Sequence, residues 1–288
     1  MVRVQNLVVH AIQAFLQASG VTNMSERTLA TLLLGLAIVL APTNAARADK
    51  LDEIRAHGRI LVGVSETSPP FSARQGGEVV GYDVDLASRV AGRLGVAIEK
   101  ISITNAERIP ALQHDRVDLV ASGMTRAENR KREVAFSIAT LVSPHKVLIR
   151  RDSGIVSVNE MADRTLALVR SASVDAELKA AVPTLKIVLF NDYAACFAAL
   201  KEGRVDGFLA DEVLLRFFAQ QSGAAADFTL IADYELPRTA GFAIKKDEPR
   251  LKAFVDQALL ELEASGEAAK IFAAWFAAVP RMFRIEPD

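Results

Sequence analysis

Short apolar blocks alternate with polar, helix-patterned stretches along most of the chain. Arg59-Ile60-Leu61-Val62-Gly63-Val64 reads as a buried strand, preceded by a short helix over 51–57 that Gly58 ends. A loop with two prolines, Ser65 to Phe71, leaves that strand. Residues 79–82 read as a second strand segment. Asp83 then caps a helix that gathers Val84, Ala87, Val90, Ala91 and Leu94 on one face. Further strands are predicted over 96–103, 118–121, 134–138, 146–150, 164–169, 186–190 and 241–245. Helices are predicted from Asn105, over 173–181 and 193–201, from Asp211 to Phe218, from 247 onward, and over 267–277 after Gly266. Ser143-Pro144 reads as a crossover. Repeated strand–helix alternation predicts α/β lobes on mostly parallel sheets, with ligands beyond the carboxyl ends of the strands.

One stretch concentrates binding chemistry at such a strand end. Asp118 to Ala121 is a short buried strand, and Ser122, Gly123, Thr125 and Arg130 follow it. Glycine lets backbone approach a ligand, and a guanidinium can grip a carboxylate with two parallel bonds. The phrase is echoed downstream: A-L-x-x-x-R-V-D at 111–118 recurs 88 residues later at 199–206. The second copy leads to Ala210-Asp211, an acidic strand end. An arginine-bearing end and an acidic end facing each other would suit a zwitterion. The echo also fits a common helix-to-strand junction.

Residues 27–48 carry the pattern of a secretory signal: Arg27, the apolar run Leu29 to Leu40, and Ala46-Arg47-Ala48 as a cleavage site after Ala48. Met24 is a candidate start, which would make 1–23 an upstream extension. Removing 1–48 takes away a net charge of +2 and moves the chain from −1 to −3. That balance argues against a general nucleic-acid binder. The expectation is a soluble periplasmic protein.

Little else in the chain suggests reaction chemistry. Cys196, the single cysteine, sits among small apolar helix residues and reads as a buried, inert thiol. His10, His57, His114 and His145 lack ligand spacing, so no metal site is supported. Asp83 and Asp85 could suggest an acid/base pair, but a cap and a solvated helix start explain them better. Trp275 with Phe272 and Phe276 reads as helix packing.

Taken together, Pro70-Phe71, Gly81-Tyr82-Asp83-Val84-Asp85-Leu86, Arg108-Ile109-Pro110-Ala111-Leu112, Asp118 with Thr125 and Arg130, Ala135-Phe136-Ser137, Gly203-Arg204-Val205-Asp206, Asp211, and Ser265-Gly266-Glu267 through Trp275-Phe276 resemble the amino-acid-binding branch of the periplasmic solute-binding proteins, family 3. The resemblance implies a type II periplasmic binding protein fold: two α/β lobes with mixed, mostly parallel sheets, joined by a two-strand hinge that closes on the ligand. Lobe 1 would be 49–143 plus 240–288, and lobe 2 would be 144–239. It also implies roles for side chains. Arg130 and Thr125, with backbone near Gly123, would hold an α-carboxylate, Asp211 the α-ammonium, and Ser173 would add a hydroxyl.

Within the family the loops around Ser65 to Ser72 and Ile103 to Pro110 are similar to those of glutamate/aspartate-binding proteins. Arg108 matches an arginine that meets the ligand's side-chain carboxylate in that group. Ser65 stands where that group has a second arginine, and Tyr193 where it has a histidine. Glutamine or asparagine is therefore an alternative to glutamate or aspartate. The implied role is a monomeric binding subunit that delivers a polar amino acid to a membrane ABC permease, without cofactor, metal, nucleic acid or catalysis. Two alternatives are a cyclohexadienyl-type dehydratase on the same scaffold and a soluble ligand-sensing module. The dehydratase would need an acidic group where Arg170-Ser171-Ala172-Ser173 stand.

Overall fold

A computed structural model describes residues 49–170, 178, 180–276, 281 and 283–288. The signal-like segment, the cleavage position and Ser173 lie outside those residues, as does most of the helix expected over 173–181.

The apolar blocks become two five-stranded sheets of the same topology. The first takes the order Ala97–Ser102, Arg59–Val64, Leu119–Val120, Ala243–Lys245, Val134–Phe136. The second runs Lys186–Phe190, Thr165–Val169, Gly207–Asp211, His145–Arg150, Phe228–Leu230. Each is mixed. The pairs around Arg59–Val64 and around Thr165–Val169 are parallel. The pairs made by Ala243–Lys245 and His145–Arg150 are antiparallel. Those two strands follow the stretches where the chain passes from one sheet to the other. There Leu141–Val142 pairs antiparallel with Thr239–Ala240, giving the two-strand connection of the two-lobed fold.

The internal echo is the same junction built twice. At 2.9 Å, Asp118 Oδ2 accepts the Leu61 amide, and at 2.8 Å Asp206 Oδ2 accepts the Thr165 amide. Each aspartate amide in turn donates to the carbonyl of that same partner. The turns before them bend alike, with positive φ at Asp115 (54°) and Gly203 (72°). Both aspartates thus tie a helix-to-strand turn to the neighbouring strand of its own sheet.

Two expectations for the helix after Gly81 change. Tyr82 opens the helix Tyr82–Leu94 rather than closing a strand, and the helix has no side-chain cap. Asp83 is buried inside its first turn, where its carboxylate accepts the Gly123 amide. Asp85 is not a solvated helix start: its Oδ2 accepts Trp275 Nε1–H at 2.7 Å. Tyr82 OH donates to Thr140 O at 2.6 Å, and Tyr82, Phe272, Phe276 and Phe71 pack as one aromatic group. The C-terminal helix Glu267–Trp275 is thereby fastened over the first sheet's helix, and Trp275 packs as expected.

Candidate functional site

The strand Leu119–Val120 delivers Ser122, Gly123 and Thr125 at its carboxyl end, all buried. Gly123 adopts φ +64, and a Cβ there would lie 2.6 Å from the Phe71 ring, so close approach requires glycine. Thr125 bridges to Ala240 on the lobe connection. Arg130 lies on the short helix Glu128–Lys131 and donates Nη1–H to Thr125 O at 3.1 Å. Thr125 and Arg130 therefore form one unit.

Arg108 opens the helix Arg108–Gln113. It donates from Nε to Asn105 O at 3.0 Å and from Nη1 to Ser122 O at 3.2 Å. Asn105 precedes that helix rather than opening it, since Glu107 is the N-cap residue. Ser68 Oγ is 3.0 Å from Ser65 Oγ and 3.3 Å from Asn105 Oδ1, which joins Ser65 to Arg108 through Ser68 and Asn105. Asn105 Nδ2 and Ser122 Oγ are buried with no partner among the described residues.

The second sheet contributes Asp211, the last residue of Gly207–Asp211. It stands at the N-cap of the helix Glu212–Gln221 without capping it through its side chain. Tyr193 opens the helix Tyr193–Lys201. His145 pairs with Asp211 across the strands, and its Nε2 is 3.4 Å from Asp211 Oδ1. The turn around Asp211 is also bound to the lobe connection, because Glu212 N–H donates to Pro144 O at 2.9 Å.

Charges from both sheets act on one another here. Burial pushes Arg108 down to about 10, and the Arg130 cation pushes the same way, so Arg108 remains a cation at neutral pH. Burial also lowers Arg130, opposed by Tyr193 and Asp211. Burial raises Tyr193; Asp211 adds to that, and both arginines oppose it. Burial pushes Asp83 up to about 7; the Gly123 amide and Arg108 work against that shift, and Asp211 works with it. Electrostatic interaction thus links Arg130 to Arg108, Tyr193 and Asp211, while hydrogen bonds tie Thr125 to Arg130 and Ser65 to Arg108 through Ser68 and Asn105. Ser173 lies outside the described residues.

Sequence reasoning missed Asp83, His145 and Asn105 as members of this group. The G-Y-D-V-D motif held a signal for Asp83, but a carboxylate at a helix start reads first as a cap. Cys196 is fully buried as expected, its thiol pushed up to about 12 by burial. Among the described residues no group of three or more His, Cys, Asp or Glu side chains could hold a metal ion, and no helix is long and apolar enough to cross a membrane.

Two lobes of the same sheet topology, joined by paired strands, define the two-lobed architecture of type II solute-binding proteins. The chain belongs to the bacterial extracellular solute-binding proteins, family 3, whose sequence model matches residues 60–278. It is 26% identical over 270 residues to the glutamate/aspartate import solute-binding protein of Escherichia coli (strain K12), covering 88% of this chain and 89% of that one. Among solved structures it is similar to the ancestral amino acid-binding protein AncCDT-1, a precursor of cyclohexadienyl dehydratase. That match has TM-score 0.72 and 30% identity, and covers 78% of this chain and 99% of the other. It is also similar to the arginine-bound form of truncated ArgBP from T. maritima, with TM-score 0.67, 32% identity and coverage of 73% and 99%.

Proposed function

We propose that this protein is the periplasmic substrate-binding subunit of an ABC importer for a polar amino acid, glutamate/aspartate or glutamine/asparagine, and that it closes by its hinge on the ligand. One observation carries the reading. A buried cation of the first lobe, Arg130, has the buried carboxylate of the second, Asp211, among the charges that act on it. Opposite charges offered by separate lobes match the two ends of a zwitterion.

Arg130 with Thr125 takes the α-carboxylate, and Asp211 takes the α-ammonium. A ligand binding to both lobes stabilises the closed arrangement, which the membrane permease recognises. The names of the relatives span acidic and basic amino acids, so the choice of side chain rests on chemistry. Asn105 Nδ2 and Ser122 Oγ, buried without a partner among the described residues, offer donors beside the buried Arg108 cation. Donors suit a side chain ending in a carboxylate or an amide carbonyl and disfavour a cationic one. Ser65 and Tyr193, neutral where the glutamate/aspartate group has cations, keep the amide in contention. A micromolar Kd corresponds to ~8 kcal/mol.

Thermal-shift measurements with each of the twenty amino acids, followed by calorimetry, test the reading. Glutamate, aspartate, glutamine or asparagine should raise Tm, and arginine should not. At a ligand concentration 100 times Kd the stabilisation is ~2.7 kcal/mol. Unchanged Tm with all twenty would overturn it. Release of phenylpyruvate from prephenate would instead establish the dehydratase reading.

A further inference from the structure

We propose that Asp83 is a positioning residue for ligand capture: it holds the two first-lobe binding loops together and so sets the geometry in which the α-carboxylate is received. This rests on the amino-acid-binding reading above and adds to it a residue that does not touch the ligand.

The geometry is specific. Asp83 is 2% exposed. Its Oδ2 accepts the Gly123 amide at 2.5 Å, while its own amide donates to Phe71 O at 3.0 Å. The first bond reaches the strand end that leads to Thr125 and Arg130. The second reaches the end of the loop that carries Ser65 and Ser68. Tyr82 N–H donates to Pro70 O at 2.9 Å beside it, so the first turn of the helix grips that loop twice. The Phe71 ring fills the space where Gly123 has no Cβ, and the two loops are therefore in contact as well as cross-linked. Because the Gly123 amide is spent on Asp83, the part assigned to backbone near Gly123 becomes indirect: Gly123 is held so that Thr125 and Arg130 face the ligand.

Asp83 also bears on the charge of the site. Burial, helped by the Asp211 charge, pushes its carboxyl up to about 7 against the Gly123 amide and the Arg108 cation. Several charged groups on the elements packed around its helix are engaged elsewhere. Glu267 pairs with Arg93 and Arg89, Lys100 with Glu78, and Glu263 with Arg281, while Trp275 holds Asp85. An ionised Asp83, bonded to the Gly123 amide two residues before Thr125, would oppose a carboxylate received there. A protonated Asp83 still offers its carbonyl oxygen to Gly123.

The experiment compares wild type, Asp83→Ala and Asp83→Asn by calorimetry from pH 5.5 to 8.5, using whichever of L-glutamate and L-glutamine binds the wild type. Asp83→Ala should weaken binding at least tenfold at pH 6 while circular dichroism shows a folded chain. Asp83→Asn, which keeps an acceptor for Gly123, should recover most of that loss. Wild-type affinity should fall severalfold as pH rises from 6 to 8.5, and this dependence should be smaller in Asp83→Asn. If Asp83→Ala does not fold, Asp83→Asn decides: it keeps an acceptor for Gly123 and should bind within a few-fold of wild type at pH 6. Binding by Asp83→Ala within twofold of wild type, or a loss of tenfold or more in Asp83→Asn, overturns the proposal. Wild type that binds neither probe overturns the amino-acid reading instead.

Discussion

His145 Nε2 stands 3.4 Å from Asp211 Oδ1, with both side chains buried where the second sheet meets the lobe connection. The Asp211 carboxylate is thus held against a polar neighbour and does not cap the helix it precedes. That leaves it available to an ammonium. Asp211→Asn and Arg130→Met should each weaken binding of any amino acid ligand about tenfold to a hundredfold, since a bond to a charged group is worth ~1.5–3 kcal/mol. Calorimetry on both variants checks this, and unchanged affinity in both would eliminate the two-lobe clamp.

Arg108, a buried cation, donates to the backbone carbonyls of Asn105 and Ser122. Replacing it with alanine should cost glutamate and aspartate more than glutamine, by about tenfold in relative Kd, because only the acids present a full charge. Competition measurements with paired ligands read the ratio directly. Equal losses would remove Arg108 from side-chain selection.

Gly123 combines φ +64 with a Cβ position 2.6 Å from the Phe71 ring. Gly123→Ala should therefore destabilise the chain by about 1–3 kcal/mol through strain and displacement of Phe71. It should also weaken ligand binding, because Thr125 lies two residues on. Urea unfolding with and without ligand separates the two effects. A substitution neutral in both would show that the loop contact is loose.

The Asp83 carboxyl has a definite signature in stability as well. Its value in the fold lies above the ordinary carboxylate value, near about 7, because burial disfavours the charge. The stability it contributes is therefore complete below the ordinary carboxylate range and is lost as pH rises toward 7. Asp83→Asn does not titrate. The Tm of wild type relative to Asp83→Asn should consequently fall between pH 5 and pH 8. A constant difference in thermal melts would mean that Asp83 is ionised throughout.

Much of this was legible in the residues because local rules govern it. Gly58 ends a helix in the left-handed conformation, at φ 65°. Val84, Ala87, Val90, Ala91 and Leu94 face the core as their spacing requires. The R-V-D echo marks one junction made twice. Asp83 and Asp85 were not legible in the same way. Each looks like an acidic residue in a first helical turn, and helix periodicity says which way a side chain points without saying what is packed there. One meets the amide of a loop 40 residues away, and the other meets an indole 190 residues away.

By itself, the order of apolar and polar residues determined the strands, most of the helices, the α/β class and the chemical types available to a site, because those follow from spacing along a single chain. Which of those side chains share a site was decided by two passages between sheets near 141–142 and 239–240. They bring Asp211 and Tyr193 of one lobe within electrostatic reach of Arg130 of the other, and such proximity exists only in the folded chain. The same folding took Asp83 out of water and set it against Gly123; its altered charge chemistry comes from desolvation, which no residue carries in its own identity.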